Sequence, residues 1–124
     1  MQLTEHRNEN QLFIRRADAE SISIIDREFR ASVLLNATRV DESFAPRRVE
    51  ELDQSAIARI FALEPDVVLL GTGSRAAFPP QHVLAEFLRR GVGLETMDNA
   101  AVARTFNVLV GEGRNAVAAF LLPG

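Results

Sequence analysis

The stretch Asp66-Val67-Val68-Leu69-Leu70-Gly71-Thr72-Gly73-Ser74-Arg75-Ala76-Ala77-Phe78-Pro79-Pro80 decides how this chain is read. Val67 to Leu70 is an unbroken apolar run with no polar alternation, which predicts a strand covered on both faces, the pattern of a sheet held between helices. Binding loops of α/β proteins lie at the carboxyl ends of such strands, and Gly71 to Arg75 occupies that place. The stretch therefore points to an α/β fold and nominates its own loop as a candidate site.

Working outward, Pro65 closes a helix that starts after Asp53, whose carboxylate is suited to capping, and runs to about Leu63 with Ile57, Ile60 and Phe61 as its apolar stripe. Beyond Pro79-Pro80 a second helix is expected, with Val83, Leu84, Phe87 and Leu88 inward, Glu86, Arg89 and Arg90 outward, and Gly91 as its end. Val92 to Thr96 reads as a strand. Asp98 caps a third helix ending at Gly111 or Gly113, and Ala116 to Leu122 is a last strand. This strand–helix order predicts right-handed crossovers and a three-layer fold whose central sheet is mixed but largely parallel, with flanking helices. Nearer the amino terminus, Ser21 to Ile25 and Phe29 to Leu35 both alternate at period two around a polar turn. They predict an antiparallel hairpin, with Leu12-Phe13-Ile14 as a neighbouring strand.

The 124 residues are the size of one domain, expected to span residues 1–124, and 47% hydrophobic with 25% charged residues is an ordinary globular composition. Fourteen Lys+Arg against 17 Asp+Glu give a net charge of −3, with the basic residues scattered or in pairs, so no stripe suits nucleic acid. There is no apolar run long enough to cross a membrane, and Met1 to His6 lacks a signal pattern, so a cytoplasmic protein is expected. Absence of cysteine excludes disulfides, thiol chemistry and Cys-type zinc sites. His6 and His82 have no metal-ligand spacing, so neither metal nor cofactor is expected.

The glycine loop admits several chemical readings. Gly71-x-Gly73-x-x-Ala76, with Glu95 further on, formally fits a dinucleotide fingerprint, but Phe78-Pro79-Pro80 postpones the helix amino terminus that would hold the pyrophosphate. No Lys follows the glycines, so it is not a P-loop. Two readings stay open: the glycines supply backbone angles for a tight strand exit, or the N–H groups of Thr72, Gly73, Ser74 and Arg75 form a pocket for a small anion. Ser74, His82 and Asp98 have the residue types of a nucleophilic triad without its elbow motif.

On the third helix, Val102, Ala103, Phe106, Leu109 and Val110 share one face, while Ala100, Arg104 and Asn107 share the other. Arg104 and Asn107 are placed to hold a common carboxylate or phosphate, or to sit on a solvated face. Ala101 and Val108 make this helix more apolar than a surface helix requires, which suits contact with another part of the chain, a second subunit or a partner.

Leu69-Leu70-Gly71-Thr72-Gly73, Phe78-Pro79-Pro80, Gly91 to Asp98 and Ala103 to Leu109, in that order, resemble a widespread uncharacterised family of Mth-type domains. Its animal members include an adipogenesis-associated protein and a mitochondrial complex I assembly factor. The resemblance implies a compact three-layer fold with a central mixed sheet and no activity that can be borrowed. It also implies a shared pocket where Gly71, Gly73, Pro79, Pro80, Asp98, Arg104 and Asn107 meet. Ala103 and Phe106 stand where family members often have Cys and Tyr, so no thiol or phenol role carries over.

The expectation is a small non-enzymatic accessory or assembly factor acting through a protein partner or a second copy of itself. The alternative is a small-molecule or anion-binding, or enzymatic, domain. Its site would comprise Gly71, Thr72, Gly73, Ser74, Arg75 and Asp98, facing Arg104 and Asn107.

Overall fold

A computed structural model describes residues 11–123; the readings that fall on Met1 to His6 lie outside them. The chain forms β1 (Ile14–Ala17), β2 (Ile22–Ile24), β3 (Arg27–Phe29), β4 (Val33–Leu35), β5 (Val40–Asp41), a short 3-10 turn at Val49–Glu51, α1 (Gln54–Phe61), β6 (Val67–Gly71), α2 (Gln81–Arg90), β7 (Gly93–Met97), α3 (Asn99–Gly111) and β8 (Ala116–Phe120). β1, β2 and β3 make one antiparallel sheet in that order. The central sheet runs β5-β4-β8-β6-β7.

The apolar run of the opening stretch becomes β6, every residue of which is buried. It pairs in parallel with β8 on one side and β7 on the other. The sheet is mixed and largely parallel: β6, β7 and β8 run together, β4 joins β8 antiparallel, and β5, antiparallel to β4, runs the same way as the other three. The crossover β6–α2–β7 steps one way across the sheet, and β7–α3–β8 steps back past β6. Right-handed connections in opposite directions place their helices on opposite faces.

Two apolar clusters result, one on each face. Val68, Leu70, Val117, Ala119 and Leu121 meet α1 and α2 through Ile57, Ile60, Val83 and Phe87. Leu69, Ala118 and Phe120 meet α3 and the three-stranded sheet through Val102, Phe106, Ile14, Ile22 and Ile24. Adjacent residues of β6 and β8 thus serve opposite cores, which is why neither strand contains a polar residue.

Asp53 caps α1 by accepting from the Ala56 N–H at 2.9 Å, and Gly91 ends α2 in the left-handed region at φ 70°. The amino-terminal hairpin forms between β2 and β3 around Ile25-Asp26, but the alternating run Phe29 to Leu35 is not one strand. It breaks at Arg30–Ser32, where the chain passes from one sheet to the other. The buried Ser32 hydroxyl there accepts the Leu122 N–H at 3.0 Å. The expected alternation is lost at this crossing: Ala31 is exposed, Ser32 is buried, and Val33, Leu34 and Leu35 are all buried. The neighbouring strand is β1, two residues further on than Leu12 to Ile14 suggested.

On α2, Val83 and Phe87 are buried, but Leu84 and Leu88 are 41% and 82% exposed, contrary to the expected inward stripe. The helix packs over β7, the outermost strand, and its Glu86 and Arg90 side faces α1, where the Arg90 guanidinium sits 4.3 Å from the Phe61 ring centre. Leu84 and Leu88 are rotated roughly 100° or more from Val83 to the other flank, which the sheet does not extend far enough to cover.

Gly71 tests how tightly the faces are joined. A Cβ there would overlap the Asn99 Oδ1 and stand 3.2 Å from the Phe120 ring. Gly71→Ala is expected to cost about 1–3 kcal/mol through this overpacking, read as a lowered urea midpoint; an unchanged midpoint would refute the crowding.

Candidate functional site

The loop after β6 is held by a side chain that the sequence reading did not single out. Asn99, the first residue of α3, is fully buried. Its Oδ1 accepts the Gly73 N–H at 3.1 Å, and its Nδ2 donates to the carbonyls of Leu121 at 3.1 Å and Asp18 at 2.9 Å. Its own backbone N–H donates to the Gly73 carbonyl at 2.8 Å. One amide therefore ties the glycine loop, the β1–β2 turn and the exit of β8. A hint was present: Asp98 already caps α3 by accepting from Ala101 N–H at 2.8 Å, which leaves a second helix-disfavouring residue beside it without a local task.

The loop then closes on itself. Thr72 N–H donates to the Met97 carbonyl at 3.1 Å, and the Thr72 hydroxyl donates to the Arg75 carbonyl at 2.5 Å while accepting the Ala77 N–H at 2.9 Å. Gly73, at φ 103°, turns the chain where a Cβ would meet Pro123 at 3.0 Å. Ser74 and Arg75 are exposed, and the N–H groups of Ser74, Arg75 and Ala76 have no partner among the described residues. Gly71, Thr72, Gly73, Asp98 and Asn99 are thus brought together at one end of the sheet.

Arg104 and Asn107 lie elsewhere. Asn107 is eight residues beyond Asn99, about 12 Å along the helix axis. It acts as a substitute strand for β1, accepting the Ile14 N–H at 3.0 Å and donating to the Ile14 carbonyl at 2.8 Å. Arg104 is exposed and makes no ion pair among the described residues. His82 faces the Leu52 carbonyl at 3.2 Å and bonds neither Ser74 nor Asp98, and no described His, Asp and Glu cluster suits a metal ion.

Two carboxylates are held below their ordinary range. Asp18 accepts the Glu20 and Ser21 N–H groups, and these bonds, with Arg16 nearby, favour its charged form. Glu86 is favoured as the anion first by Arg90, then by Arg89. Asp18 is exposed and Glu86 half-buried, and each stabilises local geometry, Asp18 in the turn that Asn99 ties to the glycine loop and Glu86 on the α1 side of α2. A groove of about 780 Å³ opens between the two sheets beside Ser32 and Phe44. Its cations are occupied, Arg30 by Glu28 at 3.2 Å and Arg47 by the carbonyls of Leu122 and Pro123.

With the architecture and the loop in view, comparison with known proteins is decisive at the level of family. Residues 14–121 match the profile described as "Protein of unknown function (DUF498/DUF598)". The chain belongs to this family. It is the Mth-type family to which the glycine loop and third-helix motifs pointed.

A Xanthomonas campestris protein solved by NMR is 38% identical with a TM-score of 0.85, over 100% of this chain and 94% of that one. NADH dehydrogenase [ubiquinone] 1 alpha subcomplex assembly factor 3 of Bos taurus is 33% identical over 76 residues, 60% of this chain and 41% of that protein. The 13 kDa major membrane protein of Francisella tularensis is 28% identical over 89 residues, 71% of this chain and 72% of that protein. The chain spans less than half the length of the assembly factor it matches. No helix among the described residues is long and apolar enough to cross a membrane.

Asn99→Leu keeps the branching but leaves the Gly73 N–H and the Leu121 carbonyl buried without partners and frees the part-buried Asp18 carbonyl. A loss of roughly 3–5 kcal/mol is expected, with faster amide exchange at Gly73. Unchanged exchange at Gly73 would contradict the role given to this side chain.

Proposed function

We propose that this protein is a cytoplasmic accessory or assembly factor that works through protein contacts and performs no catalysis of its own. The observation that carries the reading is the inverted use of its side chains. The buried or half-buried residues that offered chemistry, Asn99, Asn107 and Thr72, are committed to backbone groups, whereas Phe78, Leu88 and Val108 are 87%, 82% and 57% exposed. Apolar side chains exposed singly need no cover, but Leu84 and Leu88, one turn apart on the same flank of α2 and 41% and 82% exposed, make a contiguous apolar surface of the kind that another molecule covers. Similarity to the complex I assembly factor supports the same class of role, with either another protein or a second copy of the chain as partner.

Affinity capture with the tagged full chain tests this reading. Wild type is expected to retain a reproducible protein set, reduced by at least one of Phe78→Asp, Leu88→Asp and Val108→Asp, each of which should leave stability within about 0.5 kcal/mol. No reproducible partner, in capture or as a self-associated species in sedimentation, would overturn the proposal, as would capture indifferent to all three substitutions.

The unpartnered N–H groups of Ser74 to Ala76 favour a second reading, a small anion such as phosphate or carboxylate held by main-chain donors and the Arg75 guanidinium. An amide NMR titration with inorganic phosphate should shift Ser74, Arg75 and Ala76 progressively, less so in Arg75→Ala. Static resonances would remove this reading.

A further inference from the structure

The outer edge of β7 is where the sheet is left open. Strand β1 has its edge covered by Asn107, and β5, at the far side of the central sheet, is two residues long with Asp41 tied to Arg59 at 2.8 Å. β7 is five residues long and pairs only with β6. In a parallel ladder both backbone groups of one residue point the same way, and those of the next point oppositely. The Met97 carbonyl accepts from Thr72 N–H on the β6 side, so Gly93, Glu95 and Met97 face inward. The N–H and C=O groups of Leu94 and Thr96 therefore point outward, without partners among the described residues.

The two flanks of this edge differ in chemistry. On the α2 side stand Leu84 and Leu88, turned away from α1, and the same face of β7 carries the half-buried Leu94. On the α3 side the Thr105 hydroxyl meets the Met97 sulfur at 3.7 Å, which shows that this flank of α3 borders β7. Glu95 is exposed on that face, and Glu112, two helical turns beyond Thr105, shares the flank.

We infer that β7 is a docking edge for an extended segment of another protein, added as a sixth strand, with an apolar–basic–apolar pattern. This rests on the protein-contact reading above and names the contact. A strand laid along β7 places the residue opposite Glu95 beside that exposed carboxylate on the α3 face and its two neighbours on the leucine face, so a central Lys or Arg flanked by apolar residues fits both. A second copy fits poorly. Antiparallel self-pairing that uses both outward residues would set Glu95 directly against Glu95, where side chains are closest and like charges repel.

The test uses the full-length chain and short labelled peptides in fluorescence anisotropy. A Thr-Val-Lys-Val-Thr core should bind, and a Thr-Val-Glu-Val-Thr core should bind at least about tenfold more weakly. Glu95→Lys should reverse that order, and Leu84→Asp with Leu88→Asp should weaken both. Methylating the two peptide amides that face the strand should abolish binding while leaving the protein untouched. Failure of the basic peptide to bind, or equal binding of basic, acidic and methylated peptides, overturns the inference. If affinity capture persists in Glu95→Lys and Leu88→Asp while the peptides fail, only the assignment to β7 falls. If wild type captures nothing and does not self-associate in sedimentation, the wider reading falls instead.

Discussion

Everything else in this fold depends on one buried amide. Asn99 stands where the loop after β6, the turn between β1 and β2 and the segment leaving β8 converge, and it meets all three with opposite ends of the same side chain. No apolar residue could replace it, because the Gly73 N–H and the Leu121 carbonyl are removed from water there and each needs a partner. No larger loop residue could replace Gly71 either, because the amide occupies the space where its Cβ would stand. The glycine is required by the asparagine, and the asparagine by the meeting of three backbones. The loop that looks most like a ligand cradle is therefore first a joint between the central sheet and the amino-terminal one.

The same economy governs the third helix. Asn107 holds β1 by both of its amide groups, so α3 functions on one flank as the missing strand of the small sheet. Its opposite flank borders β7 and offers no comparable cover. α2 repeats this asymmetry on the other face: Glu86, Arg89 and Arg90 form a charged knot on or near the α1 side, and the leucines are left on the outer flank. Both helices are satisfied toward the middle of the molecule and unsatisfied toward the same edge of the sheet.

The sequence displayed the central elements well because their signals are local. Val67 to Leu70 has to be a doubly covered strand, Asp53 and Asp98 have to cap, and Gly91 has to end a helix whatever surrounds them. Partner choice was less legible. Phe29, Ala31, Val33 and Leu35 keep a period-two apolar spacing although the chain changes sheets among them, and nothing local marks Ser32 as the crossing. Leu84 and Leu88 extend the apolar stripe of α2 correctly in angle, but how far the sheet reaches beneath a helix is a property of topology. Asn99 escaped notice for the same reason. Its partners lie 22 to 81 residues away, and Asp98 beside it already explains the start of the helix. Asn107 was noticed as a polar residue with work to do, and only the placement of β1 reveals what that work is.

The position of β8 has a consequence for the order of assembly. It is the last strand in sequence yet occupies the middle of the central sheet, between β4 and β6. The β4–β5 hairpin and the β6–α2–β7 unit are each built from near neighbours, but they share no ladder until Ala116–Phe120 slides between them. Until then each half presents a bare apolar strand edge, so the closing strand acts as a keystone: the sheet cannot become continuous gradually from one side. Removal of those few residues would not trim the fold but leave two halves with no strand ladder between them.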